Sequence, residues 1–86
     1  MTMAERMHAK LTEAFRPQEL DIIDESDQHR GHGGWREGGE THFRIRMRAD
    51  ALADKTRVAR QRAVYAVLKD EMAGDNGIHA LALDVA

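Results

Sequence analysis

The 86-residue chain has no cysteine. That excludes disulfides, thiol nucleophiles and any protein-only thiolate zinc or iron–sulfur site, so a metal held here must use histidine or carboxylate. No apolar run approaches the roughly 20 residues that span a bilayer. The start, Met1-Thr2-Met3-Ala4-Glu5-Arg6, also lacks the charged-then-apolar order of a signal peptide. A cytoplasmic location without membrane association is expected. Excess positive charge is missing too: the formal net charge is −2. This argues against a general polyanion binder, whose affinity rests on surplus Lys and Arg, while local basic patches stay possible. What is present is ordinary for a globular chain, with 42% hydrophobic and 33% charged residues. At this length it buries one modest core, and a single domain over residues 1–86 is expected.

The order of elements follows from periodicity and punctuation. Thr2 and Glu5 have capping-box spacing, and Met3, Met7, Leu11 and Ala14/Phe15 recur at helical period, so a helix is predicted over 2–15. Pro17 cannot continue it and displaces Arg16 from the α region. A short strand is predicted over 19–25, where Leu20 and Ile22 alternate with Asp21 and Ile23 up to Asp24-Glu25-Ser26, giving at least one apolar face. Residues 41–49 alternate cleanly, with Phe43, Ile45, Met47 and Ala49 on one face and His42, Arg44, Arg46 and Arg48 on the other. That pattern predicts a strand with a wet, basic side. Asp50 to Lys55 reads as a turn. Thr56 then caps a second helix in which Val64, Val67, Leu68 and Met72 share a face, ended by Gly74-Asp75-Asn76-Gly77. A last strand over Ile78 to Val85 places His79 on the face of Leu81, Leu83 and Val85.

The resulting helix–strand–strand–helix–strand order fits an α+β domain: a three-stranded mixed sheet with helices on one face. If the second helix is a right-handed crossover, the last two strands are parallel and begin at the edge where the preceding loop ends. His79 and the loop histidines would then converge. That loop, residues 27–40, holds five of the seven glycines together with His29, His32 and Trp35. Long loops in compact domains tend to be functional or disordered, and this one is chemically decorated.

A set of residues in order carries a resemblance across nearly the whole chain. It comprises Asp24-Glu25-Ser26, His29, His32, Gly34, Thr41-His42-Phe43, Val58, Arg60, Arg62, Val64-Tyr65, Leu68, Glu71 and Ile78-His79-Ala80-Leu81. Each fragment alone is weak, but the ordered set resembles the BolA-like proteins. The resemblance implies an αββαβ topology similar to class II KH domains. It also implies a monothiol glutaredoxin as partner and a bridging 2Fe-2S cluster, to which the BolA-like chain contributes histidine. On this sequence those positions fall on His79 and His29, with His32 as an alternative. The remaining ligands would come from the glutaredoxin cysteine and glutathione, and no cofactor is expected in the isolated chain, which would be a monomer or weak homodimer. Two departures stand out. Most members carry Arg-His-Arg where this chain has Arg60-Gln61-Arg62, and the usual phenylalanine and glycine of the preceding turn are replaced within Arg48 to Lys55.

Spacing alone reads His29 and His32 as solvated loop residues and His79 as a strand terminus; the resemblance turns His79 and His29 into ligand candidates. His42 is expected to be supporting or structural, and His8 inert. Trp35 is either a partner anchor or loop packing. Lys55, Arg57, Arg60 and Arg62 cluster at the second helix start, where they could meet a partner or the phosphates of DNA. The blander account is a solvated face partly neutralised by Asp50, Asp54 and nearby acids. Gly31 and Gly34 match the GxxG spacing of KH domains but sit between strands, so they carry no weight. Asp24 and Glu25 fall on opposite strand faces, and no nucleophile has a catalytic context, so no enzyme is expected. The leading expectation is an iron–sulfur adaptor, and the alternative is a nucleic-acid-binding transcriptional regulator acting through the Arg57 to Arg62 region.

Overall fold

The computed structural model describes residues 2–25, 42–73 and 77–86. Helix α1 runs over Met3–Phe15 and is closed at its start by the reciprocal pair anticipated above. The Glu5 backbone N–H donates to the Thr2 hydroxyl and the Thr2 N–H to the Glu5 carboxylate, both at 3.1 Å. Two donors that a first turn leaves open are thereby satisfied. The bonds from the Thr2 backbone and hydroxyl also hold the Glu5 carboxyl below its ordinary range. At the other end Arg16 takes φ 47°, ψ 57° and returns its N–H to the Thr12 carbonyl at 2.9 Å. It is the one non-glycine residue of positive φ among the described residues. Pro17 disfavours the right-handed helical region for its predecessor, and the left-handed turn is the conformation in which a helix end is commonly closed.

Three strands follow: β1 at Glu19–Asp24, β2 at His42–Arg48 and β3 at Ala80–Val85. They form one mixed sheet in the order β1-β2-β3, antiparallel between β1 and β2 and parallel between β2 and β3. The link from β2 to β3 contains a 3₁₀ turn at Asp50–Leu52, helix α2 at Arg57–Val67 and the single-turn helix α3 at Lys69–Met72. Thr56 caps α2 as its position predicts, accepting the Ala59 N–H at 3.2 Å. The sequence predicts one continuous second helix, and here the structure differs: Leu68 departs to φ −97°, ψ 15° and divides α2 from α3. Bonds remain on either side of the break, from the Leu68 N–H to the Val64 carbonyl and from the Met72 N–H to the Leu68 carbonyl. The interruption is confined to one residue, which residue periodicity does not detect.

The core lies between the helices and one face of the sheet. Met7 and Leu11 from α1, Phe43, Ile45 and Met47 from β2, and Val64 with Leu68 are all buried in it. Burying each such side chain contributes roughly 1.5–3 kcal/mol. The other sheet face carries the arginines, and register determines their partners. Arg46 reaches Glu19 at 3.2 Å and Asp21 at 3.5 Å, Arg48 reaches Asp84 at 3.0 Å, and Arg44 reaches Glu25 at 3.1 Å. The acids that neutralise these three arginines are thus their cross-strand neighbours. Exposed pairs of this kind contribute roughly 0–1 kcal/mol each, so they mark register more than they stabilise.

Candidate functional site

Because β2 and β3 are parallel and His42 is paired in register with Ala80, both strands begin at one edge of the sheet. Two imidazoles meet there. The rings of His42 and His79 have centroids 5.3 Å apart, tilted by 53°. His42 is 6% exposed, whereas His79 is open to solvent. Beside them a cleft of about 180 Å³ is walled by Glu25, His42, Arg44, Ala80 and Ala82, among others. The Glu25 N–H closes the end of the β1/β2 pair on the His42 carbonyl at 2.8 Å.

Both histidines differ from the pattern reading. His79 does not join the row of Leu81, Leu83 and Val85, because β3 starts only at Ala80 and its two-residue alternation does not extend back. It is the preceding Ile78 that is buried, at 3%. His42 shares the arginine row by alternation yet is not wet. Alternation sets the face, while exposure depends on what flanks it, and here β1, Ala80 and the His79 ring surround the strand start.

The backbone just before His79 is anchored to α3. The Ile78 N–H donates to the Glu71 carbonyl at 2.9 Å. The Glu71 carboxylate, 1% exposed, accepts from Arg6 and Lys10 of α1, each at 2.9 Å. Burial pushes this carboxyl up, but the Lys10 hydrogen bond, a backbone bond and the nearby Lys10 and Arg6 charges outweigh it, leaving it below its ordinary range. This buried triad was not anticipated. Its signal was a glutamate on the apolar stripe between Leu68 and Met72.

The basic helix start lies elsewhere. Lys55, Arg57 and Arg62 are exposed. Arg60 is not a free surface cation: its Nε donates to the Leu52 carbonyl at 2.9 Å and a terminal nitrogen to the Ala53 carbonyl at 3.3 Å. Arg57, Arg60 and Gln61 wall a second cleft of about 370 Å³ against Leu83 to Ala86. The histidine edge and this cleft occupy opposite ends of the six-residue β3, separated by a strand that rises roughly 3.3 Å per residue. His29, His32 and Trp35 lie outside the described residues.

The chain matches known proteins over most of its length. A family model described as BolA-like protein matches residues 11–86. A Sinorhizobium protein, described as an uncharacterized protein in the cobS 5′ region, is 46% identical over 87 residues, covering all of this chain and 91% of that protein. SufE-like protein 1 of Arabidopsis thaliana is 40% identical over 82 residues; the match covers 91% of this chain and only 22% of that protein. The solved BolA domain of SufE1 from the same plant superposes with a TM-score of 0.84 at 38% identity, covering 99% of this chain and 91% of that one. The DNA-binding transcriptional regulator BolA of Escherichia coli is 34% identical over 83 residues, covering 96% of this chain and 73% of that protein.

Proposed function

The chain belongs to the BolA-like family, and on that premise we propose that it is a non-enzymatic adaptor in iron–sulfur cluster handling. It pairs with a monothiol glutaredoxin in the cytoplasm and supplies histidine to a shared 2Fe-2S cluster, which is its cargo. The observation that carries this reading is the exposed His79 beside the buried His42 at the common start of two parallel strands. The chain has no cysteine, so any thiolate ligand to a shared cluster has to come from a partner. An exposed imidazole is a ligand that a partner has to complete, here with the glutaredoxin cysteine and glutathione. Histidine in place of thiolate raises a cluster's potential, which suits handover better than low-potential electron transfer. His29 or His32 is the proposed second ligand from this chain.

The test is reconstitution with a monothiol glutaredoxin, glutathione, iron and sulfide, followed by visible absorption and circular dichroism. His79→Ala is expected to change the spectrum, and His29→Ala and His32→Ala identify the loop ligand. Spectra unchanged for all three variants would overturn the assignment.

A second reading, DNA binding through the start of α2, is favoured by the exposed Lys55, Arg57 and Arg62 and by the description of the E. coli relative as a DNA-binding regulator. Affinity for duplex DNA that falls steeply with salt and differs between sequences supports it. A flat salt response removes it.

A further inference from the structure

We infer that Glu71 is a positioning residue for His79, acting through the backbone of Ile78; the inference rests on the adaptor reading above for what His79 is positioned to do. Nothing in the chemistry of a cluster calls for Glu71. It lies in α3, before the histidine in the chain, and its carboxylate faces α1.

The geometry links the two in consecutive steps. Arg6 and Lys10 stand one helical turn apart on α1, flanking the fully buried Met7. Both donate to the Glu71 carboxylate at 2.9 Å, and the carboxylate itself has no exposure. A buried carboxylate between two cations fixes α3 against α1, since breaking such a pair leaves an uncompensated buried charge. The backbone carbonyl of this same residue receives the Ile78 N–H. Ile78 is buried, and the next residue is His79. The return of the chain is tight as well. A Cβ on Gly77 would lie 2.6 Å from the Ala73 carbonyl oxygen and 2.7 Å from the Met72 carbonyl carbon and oxygen. The point at which His79 leaves the core is therefore set by α3, and α3 is set by the clamp from α1.

A purely structural Glu71 would lower stability throughout the domain, whereas a positioning role acts selectively at the turn before β3. In the free full-length chain, amide hydrogen exchange at Ile78 and the nuclear Overhauser contact between the His42 and His79 rings report that turn directly. Glu71→Gln keeps the shape and removes the charge. It is expected to reduce Ile78 protection about tenfold or more relative to the amides shared by β1 and β2, and to weaken the inter-ring contact. Lys10→Met, which leaves the Arg6 pair in place, gives a smaller effect of the same kind and serves if Glu71→Gln does not fold. Gly77→Ala should reproduce the local loss with the carboxylate clamp intact. Folded Glu71→Gln and Lys10→Met chains with parental Ile78 protection and an unchanged inter-ring contact overturn the inference.

The reconstituted complex separates this result from the adaptor reading. If His79→Ala alters the cluster spectrum, Glu71→Gln should alter it in the parent and add nothing in the His79→Ala background; an additive change counts against positioning. If His79→Ala leaves the spectrum untouched, the adaptor reading fails, and the exchange measurement still decides whether Glu71 positions His79.

Discussion

Arg60 donates its Nε to the carbonyl of Leu52, eight residues earlier, at 2.9 Å. A residue that sequence reading assigns to partner or phosphate binding thus braces the turn that leads into α2. A variant at Arg60 therefore tests the fold before it tests any interface.

Arg60→Ala should lower stability by roughly 1.5–3 kcal/mol, the usual range for hydrogen bonds from a charged group. Arg57→Ala and Arg62→Ala, both at exposed positions, should stay within about 0.5 kcal/mol. Urea unfolding of the three variants checks this, and equal midpoints would refute it. Arg57 and Arg62 are consequently the cleaner probes of DNA binding.

The two histidines should separate in the same assay. His42 is buried and His79 exposed, so His42→Ala should cost about 1–3 kcal/mol and His79→Ala next to nothing. A stability-neutral His79→Ala is also what makes its spectrum interpretable, because a change then reflects ligation and not unfolding. Comparable losses at both positions would contradict the burial difference.

Acid should weaken the domain through Glu71. Its carboxyl titrates lower in the folded chain than its ordinary value of 4.5, so the unfolded chain takes up the proton more readily. The stabilisation is complete above that value and is lost as pH falls through it towards the folded-state value. Other carboxylates share the acid limb, and the difference between parent and Glu71→Gln isolates this one. The substituted chain should be less stable at neutral pH and show a shallower decline as pH falls below about 4.5. Parallel curves would show that the clamp contributes nothing.

Packing offers a further contrast. Leu11 has no exposure and Ile23 is 50% exposed. Leu11→Ala should lose roughly 2–5 kcal/mol, a large share of the 5–15 kcal/mol typical of a domain, and Ile23→Ala should remain within about 0.5 kcal/mol. Thermal unfolding monitored by circular dichroism distinguishes them.

Where local chemistry dominates, the sequence was legible. Thr2 with Glu5, Thr56, Pro17 and the alternation from Phe43 to Ala49 place α1, the α2 cap, the turn and β2 where the structure has them, because each acts over a few residues. Strand order and the parallel pairing of β2 with β3 followed from the short chain and the crossover rule. Relations that exist only after folding were not legible. The partners of Arg44, Arg46 and Arg48 come from other strands, the use of Arg60 depends on where the Leu52 carbonyl points, and the burial of His42 depends on its flanks. Glu71 is the clearest case, since a carboxylate on an apolar stripe makes sense only once α1 delivers Arg6 and Lys10 to it. The family could be read from ordered fragments, whereas the contact between His42 and His79 required the sheet.

The parallel pairing of β2 and β3 has a thermodynamic corollary. His42 and His79 lie far apart along the chain and become neighbours only through that pairing, so no unfolded form offers the two rings together. A ligand that draws on this edge binds the native ensemble alone and raises its apparent stability by mass action. Occupancy and foldedness then report on each other, and a chain that loses its structure also relinquishes what it carries.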